Sequence, residues 1–245
     1  MGLDGVRRDW TRLGAEDPLW AVMLLPGKRG GGWDVDEFLA TGRADVDHSV
    51  GWLERLGLPT RFSRVLDFGC GVGRLSQALA RHADEVVGVD IAPTMLDTAR
   101  ALDSSGGVCR FVLNAAPDLR QFPDGHVDLV YCVLVLQHQP RPEIDRYLAE
   151  FMRVLRPGGV AVLQLLTAPL RTVKGVAWRI LPFPVIAWAQ RRLLRYPAPM
   201  RMTRVPEREL AAVLAAGGGE IVDRQPDPTY TEDWLATRYV VRRAP

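Results

Sequence analysis

The sequence predicts an α/β fold in which a doubly wound, mostly parallel sheet carries helices on both faces. From Arg64 onward, short apolar segments typical of strands alternate with segments of helical periodicity. Two of these strands end in an acidic residue, and the first is followed at once by a glycine-rich turn and a helix start. At 245 residues, the chain is long enough to bury a full core around such a sheet.

The first 60 residues lack this alternation and are expected to form a helical cap. A helix start is predicted at Asp17-Pro18 and a short helix from Asp36 to Gly42, closed by that glycine. Apolar residues at helical spacing predict another helix from Val46 to Leu56. Four tryptophans lie in this segment, at positions 10, 20, 33 and 52.

The alternating region and the C-terminus supply the remaining elements. Strands are predicted near residues 64–68, 85–90, 108–113, 127–132 and 159–166, and helices near 73–82, 93–102 and 142–155. Pro157, Gly158 and Gly159 are expected to separate the last of these helices from its strand. A helix at about 206–216 and strands at 221–223 and about 238–242 follow.

Composition and charge exclude few classes. The formal net charge is only +2, but basic residues are concentrated in the second half, and no acidic residue occurs between Glu150 and Glu207. Three cysteines without disulfide or zinc spacing predict reduced thiols and a cytoplasmic protein. No signal peptide and no membrane-spanning stretch is evident in the sequence.

The stretch from Val65 to Leu75 predicts a nucleoside-bearing cofactor at the carboxyl ends of parallel strands. Gly69 and Gly71 let the backbone turn tightly and approach a ligand closely. Asp67 precedes this turn and would face a cationic group such as an ammonium. Asp90, about twenty residues beyond the turn, is placed to accept hydrogen bonds from ribose hydroxyls.

The spacing of this turn favours S-adenosylmethionine over a dinucleotide. A dinucleotide fingerprint needs G-x-G-x-x-G/A, with a small residue at its last position. Here that position is Arg74, and the glycines follow a G-x-G-x-G spacing. An acid as close as Asp67 would also oppose a pyrophosphate. An NAD-dependent dehydrogenase is therefore disfavoured.

Four motifs, in order, resemble those of class I S-adenosylmethionine-dependent methyltransferases. They are VLDFGCGVGRLSQALA, VVGVDIAPTML, FPDGHVDLVYCVLVLQHQP and FMRVLRPGGVAVLQL, all between Arg64 and Leu166. The resemblance implies a seven-stranded sheet with an antiparallel hairpin at its edge, formed by 61–245 after a 1–60 cap. The stretch from Trp10 to Gly42 resembles the lead segment of some uncharacterised methyltransferases of actinobacterial type.

The resemblance also implies which residues bind the cofactor, with no metal. Asn114 stands where many relatives carry Asp, and its amide would bind the adenine amino group while the Ala115 N–H reads a ring nitrogen. The cap adds Trp33, Phe38 and Arg43 as candidates from their residue types: Arg43 would pair with the cofactor carboxylate, and Trp33 would pack on the sulfonium or the substrate. The alternative is that the cap tryptophans only fill the interface between the cap and the core. The full expected set is Asp67, Phe68, Gly69, Cys70, Gly71, Arg74, Asp90, Ile91, Asn114, Ala115, Cys132, Val133, Trp33 and Arg43.

His138 is the candidate catalytic residue. It follows the fourth strand, where the cofactor's methyl group is expected, and many relatives carry a histidine in this loop. A neutral imidazole there can accept a proton from a hydroxyl or amine. The alternative is that His138 hydrogen-bonds the backbone and shapes the pocket. A nucleophilic role for Cys132 is disfavoured because no acid–base partner is evident.

An insert at about 168–204 follows the fifth strand, at the rim where ligands enter such sheets. Its Trp, Phe, Ile and Arg residues suit a lid over a hydrophobic substrate, a dimer contact or a membrane-surface helix. Pro182 and Pro184 break it into two pieces, which disfavours one long amphipathic helix, so that the lid is favoured over membrane contact. The protein is expected to be a monomer or homodimer that binds no nucleic acid.

The sequence thus predicts an S-adenosylmethionine-dependent methyltransferase acting on O or N of a small, hydrophobic metabolite, in secondary metabolism. Two alternatives stay open. One is an enzyme of this fold that binds the cofactor without methyl transfer, such as a cyclase or decarboxylase. The other is a non-catalytic cofactor-binding protein, which the intact Asp67, Gly69, Gly71 and Asp90 disfavour.

Overall fold

A computed structural model describes residues 2–169, 172–227 and 234–245. Seven strands form one sheet: β1 (Phe62–Phe68), β2 (Ala83–Asp90), β3 (Cys109–Leu113), β4 (Val127–Cys132), β5 (Leu155–Pro169), β6 (Gly219–Pro226) and β7 (Trp234–Arg243). Their order is β3-β2-β1-β4-β5-β7-β6, with β1 to β5 parallel. Strand β7 runs antiparallel between β5 and β6, which confirms the predicted hairpin at the sheet edge.

Helices surround this sheet. They are α1 (Leu3–Glu16), α2 (Pro18–Val22), α3 (Val35–Arg55), α4 (Arg74–Leu79), α5 (Pro93–Leu102), α6 (Arg141–Val154), α7 (Val173–Ile180), α8 (Phe183–Arg192) and α9 (Glu207–Ala216). A short 3₁₀ turn spans Leu136–His138. The predicted doubly wound architecture is confirmed.

Two apolar cores lie on opposite faces of the sheet because side chains alternate along each strand. Leu66 and Val130 belong to the core covered by α6 and α9. Their neighbours Val65 and Leu129 belong to the core covered by α3, α4 and α5. Strands buried on both faces explain the nearly continuous apolar runs in the sequence.

The prediction of two helices between Asp36 and Leu56 is wrong, since α3 runs unbroken through both. Gly42 does not end a helix but lies buried inside it. A Cβ built on Gly42 would overlap the backbone carbonyl oxygen of Arg74 at the start of α4. Gly42 is thus a close-packing residue, a role that local sequence does not distinguish from helix termination.

Two further differences concern elements outside the cofactor motif, whereas the insert is divided near Pro182 as predicted. Helix α1 is absent from the sequence-based prediction. The Pro157–Gly159 segment, predicted to separate a helix from a strand, lies inside β5, where the register with β4 shifts between Val127 and Leu129. Gly158 has a φ of 74° there, so the breaker forms a bulge in the strand. The insert forms two helices that separate at Leu181 and Pro182, and residues 170–171 of it lie outside the described part.

Two searches of the described residues bear on membranes and metals. None of the described helices combines the length and apolar character needed to cross a bilayer. The described residues also contain no group of three or more His, Cys, Asp or Glu side chains arranged to hold a metal ion.

Candidate functional site

A cleft of about 780 Å³, counting its space open to solvent, lies at the carboxyl ends of β1, β2, β3 and β4. This is where the strand order reverses between β1 and β4, the switch point at which open α/β sheets bind ligands. The cleft is lined by Trp10, Val22, Phe68, Gly69, Cys70, Gly71, Arg74, Leu75, Val89, Asp90, Ile91, Asn114, Val133, Leu134, Val135, His138, Gln139 and Tyr147.

The glycine-rich turn forms one wall of the cleft. Gly69 and Gly71 have φ values of 74° and 54°, a region that favours glycine. A Cβ on Gly69 would also collide with the Val135 side chain in the turn after β4. The turn therefore requires glycine both for its backbone conformation and for its close approach to the β4 segment.

Asp90 closes the end of β2 and faces the same cleft. Its carboxylate accepts hydrogen bonds from the backbone N–H of Gly71, at 2.9 Å, and of Ala92, at 2.8 Å. Burial raises the pKa of Asp90 to about 6, although these backbone hydrogen bonds act to lower it. The carboxylate is held in place by the turn, and each oxygen still has acceptor capacity for a ligand hydroxyl.

Asn114 follows β3 and is the clearest sign that the cleft is built for a polar ligand. It is only 3% exposed, yet neither its Oδ1 nor its Nδ2 has a hydrogen-bond partner among the described residues. A buried amide left without partners costs free energy, so a ligand that supplies a donor and an acceptor would recover that cost. A nucleobase edge provides this pairing.

Asp67 lies behind the turn rather than in the cleft lining. It is 1% exposed and accepts a hydrogen bond of 2.5 Å from the Ser76 hydroxyl of α4. Burial raises its pKa to about 7, with the Ser76 hydrogen bond and the charge of Arg74 opposing the rise. Asp67 is therefore hydrogen-bonded to Ser76 of α4, and its contact with a ligand ammonium stays a prediction.

The turn after β4 holds a strained residue. Leu134 has a φ of 66°, a conformation that side chains with a Cβ seldom adopt. Its N–H donates a 2.7 Å hydrogen bond to Oε1 of the fully buried Gln164 on β5. This bond compensates for part of the strain and fixes the segment that carries Val133, Leu134 and Val135 into the cleft.

His138 lines the cleft at the end of the 3₁₀ turn. Its Nδ1 lies 2.8 Å from the carbonyl oxygen of Arg201, so Nδ1 carries the proton and donates it. Nε2 then keeps its lone pair, 3.4 Å from the side-chain nitrogen of Gln137, and the Trp10 ring packs edge-on at 5.0 Å. Burial lowers the pKa of His138 to about 4, so the imidazole is neutral at ordinary pH.

The two residues predicted from the cap do not line this cleft. Trp33 packs edge-on against Phe38 at 5.4 Å and donates its indole N–H to the carbonyl of Met23, so that it fills the cap core. Arg43 lines a neighbouring surface groove with Gln77, Arg81 and Ser104, and Arg74 lines both this groove and the cleft. Their contact with the cofactor therefore stays a prediction: Trp33 precedes α3 and Arg43 lies on it, and α3 packs against α4.

The cap residues that do reach the cleft are Trp10 of α1 and Val22 of α2. Trp10 is one of four tryptophans in the cap sequence, and no neighbouring residue distinguishes it from Trp33 as a residue of the cleft. The distinction depends on where α1 packs, which is against α5 beside the end of β2.

Ala115 and Cys132, both predicted to bind the cofactor, are next to lining residues but do not line the cleft themselves. Cys132 is fully buried in the sheet core, and burial raises the pKa of its thiol well above the ordinary value. It is thus a neutral thiol in the core. All three cysteines are free and buried.

Residues 66–163 match the family model described as a methyltransferase domain. A 115-residue stretch is 39% identical to the ubiquinone biosynthesis O-methyltransferase of Xanthomonas campestris pv. campestris, covering 46% of each chain. A 155-residue stretch is 29% identical to the 2-methyl-6-phytyl-1,4-hydroquinone methyltransferase of Synechocystis, covering 63% of this chain and 48% of that one. The chain spans about half the length of these curated relatives.

Residues 66–163 thus carry the methyltransferase domain that this family model describes. The structure of magnesium protoporphyrin IX methyltransferase from Synechocystis, solved with bound SAH, has the same fold. It superimposes with a TM-score of 0.61 at 22% identity, covering 92% of this chain and 93% of that one.

The methyltransferase domain has residues that fit its cofactor. The Asp90 carboxylate, the unpartnered Asn114 amide and the Gly69–Gly71 backbone converge from the ends of three strands on one cleft. Of the predicted cofactor residues, those lining the cleft are Phe68, Gly69, Cys70, Gly71, Arg74, Asp90, Ile91, Asn114 and Val133.

Proposed function

We propose that this chain is an S-adenosylmethionine-dependent methyltransferase that transfers a methyl group to O or N of a small, hydrophobic acceptor. The observation that carries the proposal is the Asn114 amide, buried without a partner among the described residues, in the same cleft as Asp90. An adenosine group bound there would pair with Asn114 through its base and with Asp90 through its ribose hydroxyls. Ile91 would lie against the base.

The remaining cofactor residues are assigned on the same basis. The backbone of Gly69 and Gly71 would lie against the methionine portion, with Val133 and Phe68 near it. The proposed roles of Ala115 and Cys132 are limited to backbone contacts, because their side chains lie outside the lining. When bound, the cofactor supplies a methyl group already activated by a sulfonium.

His138 is proposed to orient the acceptor. With its Nδ1–H held by the Arg201 carbonyl, its Nε2 accepts the long 3.4 Å hydrogen bond from the Gln137 amide, which a hydroxyl or amine of the acceptor would replace. A pKa of about 4 makes the imidazole a weak base, but it also keeps the lone pair available throughout the physiological range. Alignment and exclusion of water then supply most of the rate enhancement.

Apolar lining residues support a hydrophobic acceptor. Trp10, Val22, Leu134 and Val135 line the cleft, with Trp10 packed edge-on against His138. The phytyl-bearing hydroquinone and the ubiquinone pathway named for two relatives are consistent with this class of acceptor. We further propose that residues 1–60 act as a cap and about 168–204 as a lid, and that the protein works in the cytoplasm, where free thiols persist.

The test is calorimetric titration with S-adenosylmethionine, S-adenosylhomocysteine and NAD in parallel, followed by assay of labelled methyl transfer to hydroquinone and phenol acceptors. Micromolar binding of the first two, none of NAD, and labelled product support the proposal. The Asn114→Leu variant should bind the first two at least tenfold more weakly, since it removes a buried donor and acceptor. Binding of NAD alone, or of none of the three, would contradict the proposal.

A further inference from the structure

We propose that α7, α8 and the residues after them form a docking surface for a bilayer containing anionic lipid, and that this surface brings the methyltransferase cleft to an acceptor dissolved in the membrane. This inference rests on the proposed function. The insert surface is defined as the exposed apolar side chains of this region: Val176, Ile180, Leu181, Val185, Trp188, Leu193 and Leu194.

The apolar side chains of the insert surface are unusually open to solvent. Ile180 is 73% exposed, Leu193 is 69% exposed and Trp188 is 58% exposed. Clustered exposed side chains of this size mark an interaction site, whereas isolated ones are ordinary. These side chains lie on α7, on α8 and in the segments next to α8, and α7 and α8 contact one another.

Helix α8 is amphipathic, with its two faces clearly separated. Ile186, Ala187 and Gln190 are buried, and Gln190 accepts a hydrogen bond from the N–H of Met200 and donates one to its carbonyl. Val185 and Trp188, three residues apart, point away from the protein. The packed face anchors α8, and the apolar outer face is left without cover among the described residues.

The charges around the insert surface favour an anionic partner. Arg192 and Arg195 are exposed beside Leu193 and Leu194, and the sequence has no acidic residue from 151 to 206. Arg191 is paired with Asp9 of α1 at 3.6 Å, which leaves its two neighbours as the exposed cations of this turn. Basic residues beside exposed Trp and Leu are the composition of an interfacial membrane segment.

The same charges disfavour a symmetric dimer through this surface. In a two-fold interface, the same patch faces itself, so basic residues would oppose basic residues without acidic partners from the insert. An anionic bilayer instead offers headgroup charge to the arginines and acyl chains to the apolar side chains. We therefore assign the surface to a membrane rather than to a second copy.

The insert surface is directly connected to the cleft. The segment that follows α8 provides the Arg201 carbonyl to His138, and Thr203 donates its N–H to the Gln137 carbonyl and its hydroxyl to the Gln139 carbonyl. Arg29 of the cap donates to the carbonyls of Leu194 and Arg195. A bilayer in contact with Leu193 and Leu194 would thus lie beside the rim of the proposed acceptor site.

The break at Pro182 had disfavoured membrane contact because it excludes a single long amphipathic helix. The structure instead favours membrane contact through two shorter helices. Two short helices each leave apolar side chains exposed, Val176 and Ile180 on α7 and Val185 and Trp188 on α8. Interfacial binding depends on buried apolar area and charge, and it does not require one continuous helix.

The test is co-sedimentation of the full-length protein with vesicles of phosphatidylcholine alone and of phosphatidylcholine with about 30% phosphatidylglycerol. We expect binding to the anionic vesicles that weakens with added salt. The Ile180→Asp/Trp188→Asp variant and the Arg192→Glu/Arg195→Glu variant should each bind at least about tenfold more weakly. All of these positions are exposed, so the variants should fold, which circular dichroism and S-adenosylmethionine titration would verify.

Two matched variants control for the substitutions themselves. Val222→Asp places a charge at an exposed apolar position on the edge strand β6, and Arg55→Glu/Arg208→Glu reverses two exposed arginines on α3 and α9. Both controls should bind vesicles like the wild type. Equal loss in test and control variants would overturn the proposal, because it would show a non-specific charge effect.

Three outcomes separate this inference from the proposed function. Failure to bind anionic vesicles, with S-adenosylmethionine binding intact, overturns the docking surface alone. A dimer in analytical ultracentrifugation that Trp188→Asp dissociates also overturns it, in favour of self-association. Vesicle binding by the wild type, lost in the test variants, supports the docking surface even where S-adenosylmethionine does not bind and the proposed function fails.

Discussion

Asp90 illustrates, at the scale of a residue, how one carboxylate serves both fold and ligand. It holds the glycine-rich turn through the Gly71 N–H and is placed for the proposed ribose hydroxyls. Asp90→Ala should weaken S-adenosylmethionine binding at least tenfold, because two charge-assisted hydrogen bonds at roughly 1.5–3 kcal/mol each are lost. Calorimetric titration measures this, with Asp84→Ala at the exposed start of β2 as control. Unchanged affinity would remove Asp90 from the site.

The raised pKa of Asp90 predicts a pH dependence of binding. Burial raises its pKa to about 6, and hydroxyl donors of a ligand favour the ionised carboxylate, so binding should release a proton near that pH. Affinity for S-adenosylmethionine should therefore rise as pH increases from 5 to 7 and then level off. Titration in two buffers of different ionisation enthalpy detects the released proton. Asp90→Asn should flatten the profile from this group, and a wild-type affinity that falls with pH would contradict the prediction.

His138 predicts a different profile, for catalysis rather than binding. Because burial lowers its pKa to about 4, it stays neutral above pH 5, and kcat should show no inflection near pH 6.5 that depends on this residue. His138→Ala should lower kcat about 10²-fold or more with little change in S-adenosylmethionine affinity. A kcat of His138→Ala equal to the wild-type value across pH 6–9 would exclude a role in proton acceptance.

At the scale of elements, the crossing of α3 over α4 depends on a single glycine. Alanine normally favours a helix over glycine by about 1 kcal/mol. At Gly42, however, a Cβ would overlap the Arg74 backbone, so Gly42→Ala should lower the free energy of unfolding by roughly 1–3 kcal/mol.

Gly51 is the matched control in the same helix. The nearest atom to a Cβ built there is the Arg55 guanidinium nitrogen at 3.6 Å, an ordinary contact. Gly51→Ala should therefore stabilise the protein by up to about 1 kcal/mol. Urea denaturation of both variants measures the contrast. Equal stabilisation by the two substitutions would contradict the close packing of α3 on α4.

At the scale of the whole molecule, Arg238 joins elements that lie far apart in the chain. It is 1% exposed on β7, and its guanidinium donates to both oxygens of Asp45 on α3 and to Asp227. Its guanidinium and Asp45 also contact the Tyr131 hydroxyl of β4. Burial alone would raise the pKa of Asp45, but the charge of Arg238 lowers it below the ordinary value.

Removing this cation should destabilise the fold strongly. Arg238→Leu leaves Asp45 and Asp227 buried without their cation, at a cost of about 3–5 kcal/mol. Arg242→Leu, at an exposed position on the same strand, should change stability by less than about 0.5 kcal/mol. Thermal and urea unfolding compare the two. Similar stabilities would show that the buried network contributes little.

The wild-type network also predicts a trend with acid. Because the folded pKa of Asp45 lies below its unfolded value, its contribution to stability is present above about pH 4 and is lost as pH falls through the folded pKa. Asp67 and Asp90 have raised pKa values and act in the opposite direction, so that this contribution is best measured by comparing Asp45→Asn with the wild type.

The sequence by itself determined the α/β class, the parallel strands β1 to β5 and the local cofactor motif. Each of these depends on residues close together in the chain. Apolar runs specify strands, Gly69 and Gly71 specify a turn, and the acid at the end of β2 follows at a regular distance. Cofactor-binding residues that lie within such a short segment can be predicted before the fold is known.

The tertiary structure alone decided which cap residues reach the cleft, which charges are buried and which surfaces stay open. The local sequence does not distinguish Trp10 from Trp33, but the packing of α1 on α5 places Trp10 against His138. Arg238 and Asp45 are 193 residues apart, and an isolated arginine in a strand carries no sign of its partner. Likewise, the composition of the insert is compatible with a lid, a dimer contact or a membrane surface. Only the packing of α8 shows which of its apolar side chains are buried and which face solvent. Contacts between distant segments depend on how the helices and strands pack together, and local hydrophobic periodicity does not specify that packing.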